Sequence, residues 1–168
     1  YSLRIFNCGK NKLTLLPELP NSLTHLVCYY NELTMLPKLP NSLRILNCNF
    51  NRLTTLPILP NSLIILNCDN NMLTTLPKLP YCLRHLNCGT NKLTILPKLN
   101  KVVFKGYRYY GNPVYNFIEY EYDGNLGLYY KVNQTFANKI GEWFLECKYN
   151  PTYKYCRDRV DKEYDKLF

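Results

Sequence analysis

The stretch LPKLPNSLRILNCNFNRLTTLP, residues 36–57, decides the fold. Within it Leu43, Leu46 and Cys48 are followed by Asn51, then by Leu53, Leu56 and Pro57. The same wording returns with Leu at 3, 23, 43, 63 and 83, a period of 20 without insertion. A fixed period of this length marks a stacked repeat rather than a single closed core.

The second copy shows what one unit does. Leu26 and Cys28 alternate with His25, Val27 and Tyr29, which predicts a short strand pointing two side chains inward and three outward. Asn31 ends the strand, where its amide can bond the backbone of adjacent turns in a ladder with Asn11, Asn51, Asn71 and Asn91. Pro37 and Pro40 exclude a regular helix on the return path and favour an extended, polyproline-like run. One such unit cannot bury its own apolar face. Stacking buries about five Leu and Cys side chains per unit, each Leu worth roughly 1.5–3 kcal/mol.

A sixth, disguised unit follows. Phe104, Tyr107, Tyr109, Asn112, Val114 and Phe117 stand at the offsets of Leu83, Leu86, Cys88, Asn91, Leu93 and Leu96, with the register slipped by one residue. Beyond about residue 118 the pattern breaks. Glu119 to Val132, with Asp123-Gly124-Asn125 at its middle, reads as a hairpin. Phe136, Ile140, Trp143, Phe144 and Cys147 have helical spacing, as do Tyr153, Cys156, Val160, Tyr164 and Leu167. Asn150-Pro151 supplies an N-cap and a first-turn proline for the second helix. The expected organisation is therefore residues 1–117 as five regular repeats plus one degenerate aromatic repeat, and residues 118–168 as a C-terminal cap of two α-helices. The opening Tyr1-Ser2-Leu3-Arg4 has the phase of Tyr81-Cys82-Leu83-Arg84, so further sequence with an N-terminal cap is expected upstream.

At residues 36–57 the wording resembles the short 20-residue class of leucine-rich repeat found in bacterial type III secreted effectors. It departs from that class in placing Cys where an aliphatic residue is usual. The resemblance covers residues 1 to about 117 and implies a leucine-rich-repeat solenoid, with parallel β-strands on one side and extended, polyproline-like segments on the convex side. Some of those effectors carry a Cys-dependent ubiquitin-ligase domain after the repeats; the residues after 117 are too few for one. The Asn-, Lys- and Tyr-rich wording, with an ending such as NPTYKYCRDRV, is also similar in style to leucine-rich-repeat proteins encoded by giant DNA viruses of amoebae, which implies host-directed binding or a place in the virion.

Composition narrows the function. Net charge is +9, with ten Lys/Arg against three Asp/Glu in residues 1–100. The charge is scattered over turn positions such as Lys12, Lys38, Arg52, Lys78, Lys92 and Lys98, whereas a nucleic-acid site concentrates charge on one face. Tyr107-Arg108-Tyr109-Tyr110 has the composition of an RNA-stacking segment, but two of those Tyr are assigned to the capping core, so nucleic acid is not the expected partner. No apolar run approaches the roughly 18 residues a membrane span needs, and no membrane partner is expected.

Cys8, Cys28, Cys48, Cys68 and Cys88 form one column, with neighbours roughly 4.8 Å apart on parallel strands. A disulfide needs converging Cβ atoms, and zinc needs four ligands about one point rather than a line. The column is read as small buried hydrophobes in a reducing compartment, the host cytoplasm or a virion, with no metal or cofactor. Ser2, Ser22, Ser42 and Ser62 are turn residues displaced from both His, so no nucleophile–base pair is present.

The outward strand positions remain. Ile5, His25, Ile45, Ile65 and His85 form one column, either part of a ligand surface or an exposed ridge; His25 and His85 are roughly 14 Å apart, too far to share a metal. Asn7, Val27, Asn47, Asn67 and Asn87 form a second, either a structural ladder or amides offered to a partner. The third column, Gly9, Tyr29, Asn49, Asp69 and Gly89, varies most, and Tyr30 and Phe50 beside it supply aromatic anchors of the kind that dominate interfaces. The expected function is a non-enzymatic protein–protein interaction scaffold binding a protein partner through its concave face, with His25, Tyr29, Tyr30, Ile45, Asn49, Phe50, Ile65, Asp69 and His85 as candidate contacts. The alternative is a structural component of a larger assembly such as a virion.

Overall fold

A computed structural model describes residues 2–97, 107–122 and 131. Six short strands, β1 (Ile5–Asn7), β2 (His25–Val27), β3 (Ile45–Asn47), β4 (Ile65–Asn67), β5 (His85–Asn87) and β6 (Tyr107–Arg108), are followed by helix α1 (Pro113–Tyr122). The strands form one parallel sheet in sequence order. Each pairs with the next at a shift of 20 residues, so Leu26, Leu46, Leu66 and Leu86 stand in register. The last pairing sets Leu86 opposite Tyr107 and Asn87 opposite Arg108, the one-residue slip expected of the sixth unit.

The core consists of columns. In the second repeat Leu23, Leu26, Cys28 and Leu33 are fully buried, and Leu36 and Leu39 nearly so; the third repeat buries Leu43, Leu46, Cys48, Leu53 and Leu59. Among the described residues no strand exceeds three residues, and Asn at the eleventh position of each repeat fastens the turn that follows the strand. Asn51 shows the device. Its Oδ1 accepts from the Leu33 amide at 3.0 Å, and its Nδ2 donates to the carbonyls of Cys28 at 3.0 Å and Cys48 at 3.1 Å. One side chain thus stitches its own repeat to the preceding one. Asn31, Asn71, Asn91 and Asn112 repeat the arrangement.

The Cys column behaves as small hydrophobes. Cys28, Cys48, Cys68 and Cys88 are buried free thiols. Burial, reinforced by neighbouring thiols, pushes the Cys28 thiol up to about 12 and those of Cys48 and Cys68 well above the usual range. Cys88 is likewise raised by burial to about 12, partly offset by a hydrogen bond involving Tyr107.

The chain divides into two compact units, residues 1–116 and 117–168. Glu119 to Tyr122, expected to start a hairpin, belong to α1 instead. Asn112-Pro113 begins this helix, Pro at the first position losing no needed hydrogen bond. The prolines that interrupt every earlier return path, such as Pro97, have no counterpart between Val114 and Tyr122, so the helix runs on to Tyr122. The remainder of the expected hairpin, apart from Lys131, and both expected capping helices lie outside the described residues.

Candidate functional site

The outward side chains of the strands fall into rows fixed by the register. His25, Ile45, Ile65 and His85 are consecutive partners across β2 to β5. The first three are half-buried and His85 is exposed. His25 is held in place: its Nδ1 lies 2.8 Å from Thr24 Oγ1, and that hydroxyl donates to the Arg4 carbonyl at 2.9 Å. A hydroxyl has one proton to give, so Nδ1 donates to Thr24 when that proton serves the Arg4 carbonyl and accepts it otherwise; Nε2 lies outside this contact.

In the second row Asn7, Asn47 and Asn87 make local bonds rather than a ladder along the sheet. Asn7 Oδ1 accepts from the Gly9 amide at 3.1 Å and Asn87 Oδ1 from the Gly89 amide at 3.3 Å. These are side-chain turns that help end the strand.

Past the strands the alternation stops, and this separates residues that the sequence placed together. Tyr29 is half-buried; a Cβ on Gly9 would stand 2.5 Å from Tyr29 Cε1, so Gly9 is what admits that ring. Asp69 is buried at 6% exposure, with Oδ2 accepting from Asn70 Nδ2 at 2.7 Å. Asn49 is half-buried, its Oδ1 fully enclosed. Asp69 therefore sits beneath the surface instead of presenting a carboxylate.

Tyr30 and Phe50 do the opposite. They are exposed by 48% and 36%, and their rings stack at 4.1 Å with an interplanar angle of 6°. Tyr29 meets Tyr30 edge-on at 5.9 Å. Both stacked residues have left-handed backbone, with φ of 49° and 51°. The turn imposes it: the amides of Lys10, Tyr30, Phe50, Asn70 and Thr90 each donate to a carbonyl of the next repeat, and all five residues have positive φ. A large aromatic side chain gains nothing locally from this conformation, where Asn and Gly are at home. Sequence patterning did not reveal this row, because only Asn70 and Gly111 in it carry the usual signature.

Thr90, β-branched at φ 48°, is the least suited of the set. Thr90→Gly is expected to stabilise the protein by about 0.5–1 kcal/mol, relief of the left-handed strain exceeding the added freedom of the unfolded chain. Urea unfolding of the two proteins checks this, and a lower midpoint for the variant would contradict it.

Among the described residues there is no group of three or more His, Cys, Asp or Glu placed to hold a metal ion. Nor is any helix among them long and apolar enough to cross a membrane. What these elements offer is a strand row of two Ile flanked by two His, and a stacked aromatic pair just past β2 and β3.

No protein-family model matches the sequence, and no curated protein matches it. Among solved structures, the chain is similar to the leucine-rich-repeat domain of a Shigella effector. The TM-score is 0.62 at 40% identity, covering 66% of this chain and 50% of that one. It is also similar to YopM, a leucine-rich effector protein from Yersinia pestis, with a TM-score of 0.58 at 41% identity, covering 62% of this chain and 30% of that one. YopM from Yersinia enterocolitica WA-314 gives 0.56 at 29% identity, covering 66% of this chain and 29% of that one. The chain spans half or less of the length of these proteins. Its fold is a leucine-rich-repeat solenoid of 20-residue turns.

Proposed function

We propose that this chain is a non-enzymatic scaffold that recognises a protein partner through its strand face, the concave side expected of such a solenoid. The observation that carries the reading is the exposed Tyr30–Phe50 stack, held on left-handed backbone just past β2 and β3, the strands that carry His25 and Ile45 in the outward row. Exposed aromatic anchors are what protein interfaces concentrate, and a left-handed position filled by Tyr and Phe where Asn or Gly would fit better favours use of the rings. Tyr29 and Asn49 support the ridge from beside it; Asp69, buried, would take part only through Asn70. Similarity to Shigella and Yersinia effector proteins supports a role as a binding module. A column of free thiols fits a reducing compartment, either a host cytoplasm or a virion.

The test uses Tyr30→Gly/Phe50→Gly. Glycine relieves left-handed strain of about 1–2 kcal/mol per residue, which offsets the lost ring stacking of about 0.5–1.5 kcal/mol. The variant should therefore fold with near-parental stability. Affinity capture from a host-cell lysate is expected to yield a partner with the parent chain and to lose it with the variant. Equal recovery by both would sink the assignment.

One observation favours a second reading, that of a structural component in a larger assembly such as a virion. The return path exposes Leu15, Met35 and Ile95 at equivalent positions, by 61–68%, and Ile58 by 89%. On that reading Leu15→Ser/Met35→Ser would abolish assembly, and Tyr30→Gly/Phe50→Gly would not.

A further inference from the structure

The residue preceding each of β1 to β5 forms a column of its own: Arg4, Thr24, Arg44, Ile64 and Arg84. A cleft of about 670 Å³ opens along it, lined by Arg44, Ile64 and Arg84 together with Ser42, Tyr81 and Cys82. It lies where the copies cease to repeat. Asn21-Ser22, Asn41-Ser42 and Asn61-Ser62 are replaced in the fifth repeat by Tyr81-Cys82. Ser42 and Ser62 donate to carbonyls of the preceding repeat, Leu23 and Leu43, at 2.6 Å. Cys82 is instead an exposed free thiol, and Tyr81 is 83% exposed.

Arg44 and Arg84 stand two strand steps apart, roughly 10 Å by strand spacing, with half-buried Ile64 between them. No carboxylate of residues 2–97 answers them. Glu32 is paired with Arg52 at 3.2 Å, Asp69 is buried against Asn70, and Glu18 borders a different depression, on the return path. Two guanidinium groups that no carboxylate of residues 2–97 answers, flanking an apolar floor, make a specific chemical pattern. Guanidinium is planar, binds carboxylate through two parallel hydrogen bonds, and tolerates apolar surroundings better than an ammonium does.

We propose that this cleft is a binding site for an acidic peptide segment of a protein partner. Arg44 and Arg84 each take a carboxylate, and an apolar side chain between those carboxylates rests on Ile64. None of these residues belongs to the Tyr30–Phe50 ridge, so the site stands or falls independently of the strand-face reading.

The experiment follows Cys82 as a reporter in the full chain. The probe is a fluorescent dodecapeptide of Glu with Leu at every third position; the controls are its Gln counterpart and sodium phosphate at matched ionic strength. Anisotropy measures binding, and mass spectrometry measures the rate of Cys82 alkylation. The Glu peptide is expected to bind and to slow alkylation of Cys82 several-fold, while the Gln peptide and phosphate do neither. Arg44→Gln/Arg84→Gln should weaken binding roughly tenfold or more and remove the protection. Lys38→Gln/Lys78→Gln, which deletes the same charge from the return path, should leave both intact. Protection by the Gln peptide or by phosphate alone, protection that survives the Arg variant, or loss in the Lys variant would each overturn the proposal.

Discussion

Asn51→Ala is expected to lower the free energy of unfolding by about 3–4 kcal/mol, among the largest losses available from one side chain in this protein. The reason is where its bonds go. Deleting the side chain orphans the buried amide of Leu33 and strips one bond from each of the carbonyls of Cys28 and Cys48. Those carbonyls keep Asn31 and Asn71 respectively as donors, so the orphaned amide and the void left behind carry most of the cost. Asn51→Asp should be worse than Ala, since a carboxylate would face two carbonyl oxygens in a buried position. Asn11→Ala supplies the contrast. Asn11 donates only to Cys8 and Gly9 of its own repeat and is exposed, so its loss should cost less than about 1 kcal/mol. Urea midpoints for the three variants test the ranking; equal costs at positions 11 and 51 would contradict the stitching role.

The second large effect is alkaline unfolding. The thiols of Cys28 and Cys88 are raised by burial to about 12 from an ordinary value of 9.0, and Cys48 and Cys68 move the same way. The unfolded chain therefore releases these protons first. The stabilising contribution is complete below pH 9 and is lost as the pH rises toward the folded values. Each thiol contributes about 1.4 kcal/mol per pH unit to the slope over that window. Several thiols acting together should bring the protein to unfolding well before pH 12. Lys and Tyr titrate in the same range, so the discriminating comparison is with Cys68→Ala, whose stability should fall less steeply above pH 9 than that of the parent. Identical slopes would remove the thiols from the explanation. The same proton retention, together with burial, is expected to keep these four Cys inert to alkylation in the folded protein while Cys82 reacts.

The period of 20 made the columns, the parallel register and the Asn stitching legible from residues alone, because each follows from which side chain recurs where. The slipped sixth unit was also readable, since Asn112 and Val114 keep their spacing although the other core residues become aromatic. Three features were not read. Helix α1 is signalled by Asn112-Pro113, the same pair that marks a helix start at Asn150-Pro151, but the repeat spacing of Asn112, Val114 and Phe117 masks it. The burial of Asp69 escaped because inward–outward alternation was carried past Asn67, where the strand has already ended. The left-handed column at Lys10, Tyr30, Phe50, Asn70 and Thr90 is imposed by hydrogen bonds between repeats, and local residue preference gives little sign of it. The sequence marks Tyr30 and Phe50 as aromatic anchors, but their stacking and left-handed backbone depend on the contact between repeats, which no local pattern encodes.

The central claim is that a protein partner docks on the strand face. Site-specific photo-crosslinking tests it most directly, with a benzophenone amino acid placed either at Ile65, in the outward row, or at Thr74, exposed on the return path. The account predicts a discrete protein adduct from position 65 and none from position 74. An adduct from position 74 with none from position 65 would contradict it and move the binding surface to the return path.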